Sequence, residues 1–229
     1  MTETSDTADA TEPASTSTAS TPAPGDAQPF TYGLLMFDDA EELDFVGPWE
    51  VFTASGMVQA LAGEPATRAV TIAERPEPIR CNKGLRVCPD HTLDDHPHLD
   101  VLLVPGGVGT RREVDNERLL DWIATVGGGA SWATSVCTGS LLLVASGIAT
   151  DRRVATHWGF EDTLAARGDC TVVRDARWVR DGNVVSSQGV SAGIDMALWL
   201  IGEIHSPGHA RAVQRYIQYD PAPPYQADV

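Results

Sequence analysis

The sequence predicts a single α/β domain built on a mostly parallel sheet with helices on both faces. Three observations point there. Short apolar runs of the buried-strand type alternate with helix-spaced patterns, and turn signals such as Pro105-Gly106-Gly107 and Asp181-Gly182-Asn183 punctuate them. Once a leader is set aside, about 200 residues remain, enough for one sizeable core.

The leader comes first along the chain. Residues 1–29 are mainly Ser, Thr, Ala, Pro, Asp and Glu without Lys or Arg, and they offer little apolar surface to bury, so a disordered acidic leader is expected before a folded domain at residues 30–229. Thr31 to Phe37 then reads as a buried first strand, followed by a helix after Gly47-Pro48 with apolar residues at Val51, Phe52, Ala54, Val58 and Leu61. Ala69 to Ala73 reads as a second strand, Leu85 to Val87 as part of a small hairpin, and Pro89 to Pro97 as a connection. Asp100 to Pro105 is a third buried strand, Arg111 to Val126 a helix, and Ala130 to Cys137 a fourth strand. A helix ending near Gly147 leads to a fifth main strand at Arg153 to Thr156 and a helix at Trp158 to Arg167. Short strands at Thr171 to Val173, Trp178 to Arg180 and Val184 to Ser186 precede two closing helices, Ser191 to Ile204 and His209 to Tyr219. In such sheets the working site lies at the carboxyl ends of the strands. Three of those ends carry distinctive residues: Asp38 to Asp44, Gly106-Gly107, and Cys137.

Charge narrows the partners. The chain has 32 acidic and 16 basic residues, a formal net charge of -16, with Lys83 its only lysine. Five of the acids (Glu3, Asp6, Asp9, Glu12, Asp26) lie in the leader, so the domain keeps most of the excess. Such a surface repels nucleic acid and anionic membranes, and it suits either a halophilic protein kept soluble in high salt or an acidic mesophilic protein from a genome that prefers arginine codons. Neither a basic n-region with an apolar core nor an apolar run of membrane length is present, which implies a cytoplasmic protein.

The chemistry centres on one cysteine. Cys81, Cys88, Cys137 and Cys170 lack paired C-x-x-C spacing and matching histidines, which argues against zinc. Cys81 and Cys88 flank the turn at Asn82-Lys83-Gly84 and are placed to face each other across a hairpin as ordinary thiols. Cys137 differs, because a buried strand runs directly into a helix there and the small Gly139 and Ser140 permit a sharp turn. A thiol at that junction is exposed at the sheet edge and feels the helix's positive end, so a nucleophile with a lowered pKa is expected. Read as packing, the same cysteine is a small apolar filler.

Asp44 lies between Leu43 and Phe45, which points its carboxylate inward while Asp38, Asp39, Glu41 and Glu42 stay solvated. Beside a thiol it can carry a proton to and from substrate; alternatively it caps the helix that follows. Gly106 and Gly107 let backbone amides approach a ligand, and with the amide of Thr138 they make a candidate oxyanion site, or else an ordinary turn. His157, next to Trp158, is either a weaker candidate for base or substrate contact or a packed ring. His91, His96 and His98 share one loop without metal-ligand spacing.

Taken together, Ser135-Val136-Cys137-Thr138-Gly139-Ser140, Leu43-Asp44-Phe45-Val46-Gly47-Pro48, Pro105-Gly106-Gly107, Thr156-His157-Trp158 and Gly193-Ile194-Asp195 resemble the DJ-1/PfpI superfamily, and within it the isocyanide hydratases. The ending Tyr219-Asp220-Pro221-Ala222-Pro223-Pro224-Tyr225 is similar to that subgroup's as well. The resemblance implies a flavodoxin-like sandwich, a homodimer acting on a small-molecule substrate, and catalysis by Cys137, Asp44 and Thr138 without metal or organic cofactor. Thr138 stands where superfamily peptidases carry histidine, and Asp44 where glyoxalase-like members carry glutamate. Both differences favour hydration of an isocyanide to a formamide over the alternatives: a glyoxalase or deglycase activity, an oxidation sensor, or the sensory domain of an AraC-type regulator.

Overall fold

A computed structural model describes Met1 and residues 28–222, so the expected disorder of the leader and the last part of the C-terminal motif lie outside the described residues. In chain order the elements are β1 (Thr31–Met36), α1 (Glu42–Leu61), β2 (Arg68–Ala73), β3 (Ile79–Arg80), β4 (Arg86–Val87), β5 (His91–Thr92), β6 (Val101–Val104), α2 (Thr110–Glu113) and α3 (Glu117–Gly129). They continue as β7 (Trp132–Val136), α4 (Gly139–Ala145), β8 (Arg153–Val154), a 3-10 turn (Trp158–Phe160), α5 (Glu161–Ala165), β9 (Thr171–Val172), β10 (Trp178–Asp181), β11 (Val184–Ser187), α6 (Ala192–Ile204) and α7 (Pro207–Tyr216).

Seven strands form the main sheet in the order β10-β11-β7-β6-β1-β2-β5. Every neighbouring pair is parallel except β10 with β11, whose antiparallel pairing closes one edge around Asp181-Gly182-Asn183. Helices α1, α6 and α7 pack together over one side, and α2, α3 and α4 over the other, giving the mostly parallel flanked sheet expected of the sequence. The central strands read as continuous apolar runs because both faces are covered: every residue of β1 and β6 is buried. Among the described residues no helix is long and apolar enough to cross a membrane.

Several expectations need correction. Helix α1 begins at Glu42, not after Pro48, so Pro48 lies inside it and Asp44 in its first turn. A proline is favoured at a helix start, which made the boundary look later than it is. The helix expected from Arg111 to Val126 is broken into α2 and α3, with the side chain of Asn116 capping α3 by accepting from the Leu119 N–H. β8 is not a main strand; it pairs with β9 in a separate two-stranded sheet. β5 is a short edge strand inside what reads as a plain connection. In the β3–β4 hairpin Cys81 donates its N–H to the Leu85 carbonyl, and Arg80 pairs with Arg86, so Cys81 and Cys88 do not face each other. Both are free thiols, Cys81 buried and Cys88 exposed.

What this arrangement does for function is to bring β1, β6 and β7 side by side, so that the segments leaving their carboxyl ends meet.

Candidate active site

Cys137 follows β7 directly and has φ +56°, the left-handed region that a side-chain-bearing residue enters at a cost of about 1–3 kcal/mol. The surroundings hold it there. Its N–H donates to the carbonyls of Ser187 (3.2 Å) and Gln188 (3.0 Å), while its carbonyl accepts from the hydroxyls of Ser140 (3.1 Å) and Thr156 (3.0 Å). Gly139 makes the turn possible, since a methyl there would stand 2.2 Å from the Val104 carbonyl oxygen. The thiol ends up buried at 6% exposure but lining a cleft of about 350 Å³.

Asp44 reaches the sulfur from the first turn of α1. It is fully buried; its Oδ2 accepts from the Gly106 N–H at 2.8 Å, its Oδ1 has no hydrogen-bond partner among the described residues, and the carboxyl lies beside the Cys137 thiol. The helix-capping alternative does not hold, because Glu41 is the N-cap and makes no side-chain cap bond. Burial pushes the carboxyl up to about 7, against the pull of the Gly106 N–H and the Cys137 thiol and with help from Glu42.

The same physics reverses the expected lowering at Cys137. Burial first, and the Asp44 charge second, push the thiol up to about 12. Opposing them are the backbone N–H groups of Thr138 and Val190 and the Thr138 hydroxyl. Helix α4 is only seven residues long, and its dipole is outweighed by the loss of water and the neighbouring carboxylate. Both shifts favour a protonated thiol beside a carboxyl raised to about 7.

Gly106 and Gly107 line this pair without presenting free amides. Gly106 N–H is taken by Asp44, and Gly107 N–H donates to Thr138 Oγ1 at 3.1 Å. The expected oxyanion donors instead hold two side chains in place, and the amides aimed at the sulfur are those of Thr138 and Val190. His157 also lines the cleft, but its Nδ1 accepts from the Gly159 N–H at 3.1 Å and caps the 3-10 turn. That leaves Nδ1 unavailable as a base toward the thiol.

Three further contributors were given no role by the sequence, although Trp158 stands in the Thr156-His157-Trp158 motif. Val190, a β-branched residue at φ +49°, turns its N–H toward the sulfur. Arg111 lies along the cleft wall, with Nη1 on the Gly107 carbonyl (2.8 Å) and its guanidinium over the Phe160 ring, 4.6 Å from the centroid. Trp158, at 70% exposure, forms the cleft's outer apolar lip.

Two results are expected from this geometry. A methyl at Gly106 would lie 2.5 Å from the Thr138 nitrogen and 2.9 Å from Asp44 Oδ2, so Gly106→Ala must displace the carboxyl or the elbow. Steady-state turnover should fall by about 10²-fold, in line with the effect of displacing a catalytic group by roughly 1 Å. The second concerns stability. With its pKa at about 7 folded against 3.8 as the ordinary value, Asp44 favours the folded state fully below about pH 4, and that contribution is lost as pH rises toward 7. Asp44→Asn should therefore melt higher than the unsubstituted protein above pH 7, by on the order of 3–4 kcal/mol, and the gap should close toward pH 4. Thermal melts across that range check it.

Comparison with known proteins agrees with the fold. The sequence pattern of the DJ-1/PfpI family matches residues 33–203. A protein named isonitrile hydratase from Pseudomonas putida is 38% identical over 85% of this chain and 81% of its own. A Caenorhabditis elegans protein named glutathione-independent glyoxalase DJR-1.2 is 26% identical over 76% of this chain and 88% of its own. Among solved structures, a ThiJ/PfpI family protein from Pseudomonas syringae superposes with a TM-score of 0.79 at 29% identity, covering 92% of this chain and 86% of that one.

Proposed function

The chain belongs to the DJ-1/PfpI family, and on that premise we propose that it hydrates isocyanides to N-substituted formamides. Cys137 is the nucleophile, Asp44 the proton carrier and Thr138 the residue that orients both. The observation that carries this reading is the thiol of Cys137 on its left-handed elbow beside an Asp44 carboxyl whose Oδ1 has no hydrogen-bond partner among the described residues. An isocyanide needs that combination, because its terminal carbon must receive a nucleophile and a proton at the same atom.

In the first half-reaction the sulfur bonds to the terminal carbon as Asp44 takes the thiol proton, and Asp44 then delivers that proton to the carbon. The product is a thioimidate on Cys137. In the second half, water adds across the C=N bond, one of its protons passing through Asp44 to nitrogen. The C–S bond then breaks as the remaining hydroxyl proton returns to sulfur, releasing the formamide and restoring the thiol. The ionised form of Asp44 is the one that starts the cycle. Aspartate at position 44, where glyoxalase-like members carry glutamate, and the 38% identity to the protein named isonitrile hydratase are the support for this reaction over glyoxalase chemistry.

The discriminating assay sets an alkyl isocyanide beside methylglyoxal under the same conditions. Formamide formation should exceed loss of methylglyoxal by at least about tenfold in kcat/KM; the reverse order would make the glyoxalase reading the better one. A homodimer belongs to the same proposal. Leu43, Val46, Met57 and Leu61 leave an apolar stripe exposed along the outside of α1, and a second copy is the partner that fits it.

A further inference from the structure

Resting on the hydratase reading, we propose that the isocyanide this site takes carries an anionic side group, a carboxylate or a group of like geometry, and that Arg111 binds it. The guanidinium is held at one end only. Its Nη1 donates to the Gly107 carbonyl (2.8 Å), Thr110 Oγ1 (3.1 Å) and Thr138 Oγ1 (3.3 Å), while Nε and Nη2 have no partner among the described residues. Those two nitrogens carry three of an arginine's five N–H donors.

The guanidinium carbon lies 4.6 Å from the Phe160 ring centroid, a cation–π contact that adds to the Nη1 bonds in holding the group along the cleft. No carboxylate neutralises it. Arg111 is in no ion pair among the described residues, as is also true of Arg68, Arg80, Arg86, Arg153, Arg211 and Arg215, but of these it alone lines the Cys137 cleft. Glu41, the carboxylate on the same cleft wall, is occupied by Lys83 and by the Asn82 amide.

A fork-shaped cation without an ionic partner, bonded directly to Thr138, is complementary to a planar anion lying next to the bond being formed. A neutral side group would strip water from those donors and give nothing back. The chain's net charge of -16 opposes an anion at long range, but inside a Debye length of about 8–10 Å the local pair decides the outcome. Trp158 and Val108 on the outer lip leave room for an apolar linker between the isocyanide and its charge.

Iodoacetate and iodoacetamide test anion recruitment without depending on the isocyanide reaction. Each forms a C–S bond at Cys137 with loss of iodide and of the thiol proton, and they differ in carboxylate against carboxamide. Peptide mass mapping at Cys137 gives the ratio of the two rates in the unsubstituted protein, Arg111→Gln and Arg111→Lys. The iodoacetate-to-iodoacetamide ratio should be at least about fivefold higher in the unsubstituted protein than in Arg111→Gln, with Arg111→Lys between them. A smaller difference overturns the inference. Should Arg111→Gln fail to fold, the unsubstituted protein decides alone: butyrate should slow iodoacetamide at concentrations where butyramide does not, and equal protection, or none, overturns it.

Substrate preference is then read with 3-isocyanopropanoate and its methyl ester. The carboxylate should be hydrated with about tenfold higher kcat/KM, mostly through KM. Equal turnover of the two sinks this inference and leaves the hydratase reading intact. Turnover of neither sinks the hydratase reading, and the alkylation ratio still decides whether Arg111 recruits anions.

Discussion

Replacing Cys137 with alanine is expected to lower formamide formation by more than about 10³-fold while leaving the fold intact, because the substitution removes the only atom that can carry the thioimidate. The elbow itself does not depend on the sulfur. The groups that hold residue 137 at φ +56° are backbone carbonyls of Ser187 and Gln188 and hydroxyls of Ser140 and Thr156, all of which contact its main chain. The melting temperature should therefore move by only a few degrees, which separates a lost nucleophile from a lost fold. Product can be followed by the formyl signal in proton NMR. Residual turnover within tenfold of the unsubstituted protein would mean that water attacks the isocyanide directly.

Asp44→Asn is the second large effect expected. The amide retains an acceptor for the Gly106 N–H, so the side chain stays in place, but it neither takes the thiol proton nor returns it to carbon. A loss of about 10²–10⁴-fold in kcat follows from removing general acid–base catalysis. The pH profile gives a sharper signature. With Asp44 at about 7, kcat/KM for the unsubstituted protein should rise through neutrality as the carboxylate forms, and it should fall away as pH drops below that value. The Asn variant should lose this rising limb. Activity and stability then move in opposite directions at this one position, since the same substitution removes a buried charge that costs folding energy above pH 7.

How much of this was readable beforehand differs from residue to residue. The main strands were legible because a sheet covered on both faces demands apolar or small buried residues throughout, an unbroken apolar run in Val101–Val104 and a run of small and apolar residues in Ala133–Val136. Cys137 was legible because Gly139 and Ser140 mark a turn that only small residues permit, and Asp44 because Leu43 and Phe45 bracket it. The helix carrying Asp44 was misplaced, since Pro48 signals a start by its fixed φ even when the helix is already running. β8 was legible as extended chain, but its exclusion from the main sheet depends on long-range pairing with β9 that no local pattern encodes.

The rest of the site is written in the backbone or in relations between distant residues. Val190 contributes an N–H and a strained φ, neither of which depends on its being valine in a way the sequence displays. The amides of Gly106 and Gly107 were legible as close-approach positions, yet whether they face a ligand or hold Asp44 and Thr138 is settled by where α1 and α4 arrive. The thiol's pKa went the other way from the helix-dipole argument because burial and a carboxylate from another element outweigh a seven-residue helix. Arg111 read as the start of a helix; its importance comes from Phe160, Thr138 and the absence of an acidic partner, all distant in sequence.

The central claim is a covalent thioimidate on Cys137, and a single-turnover experiment tests it most directly. Protein in excess over an alkyl isocyanide is quenched in acid at successive times, digested, and mapped by mass while formamide is measured in the same samples. The Cys137 peptide should gain the mass of the intact isocyanide early in the turnover and lose it as formamide appears. Formamide rising at its full rate while that peptide stays unmodified throughout the first turnover would contradict the mechanism.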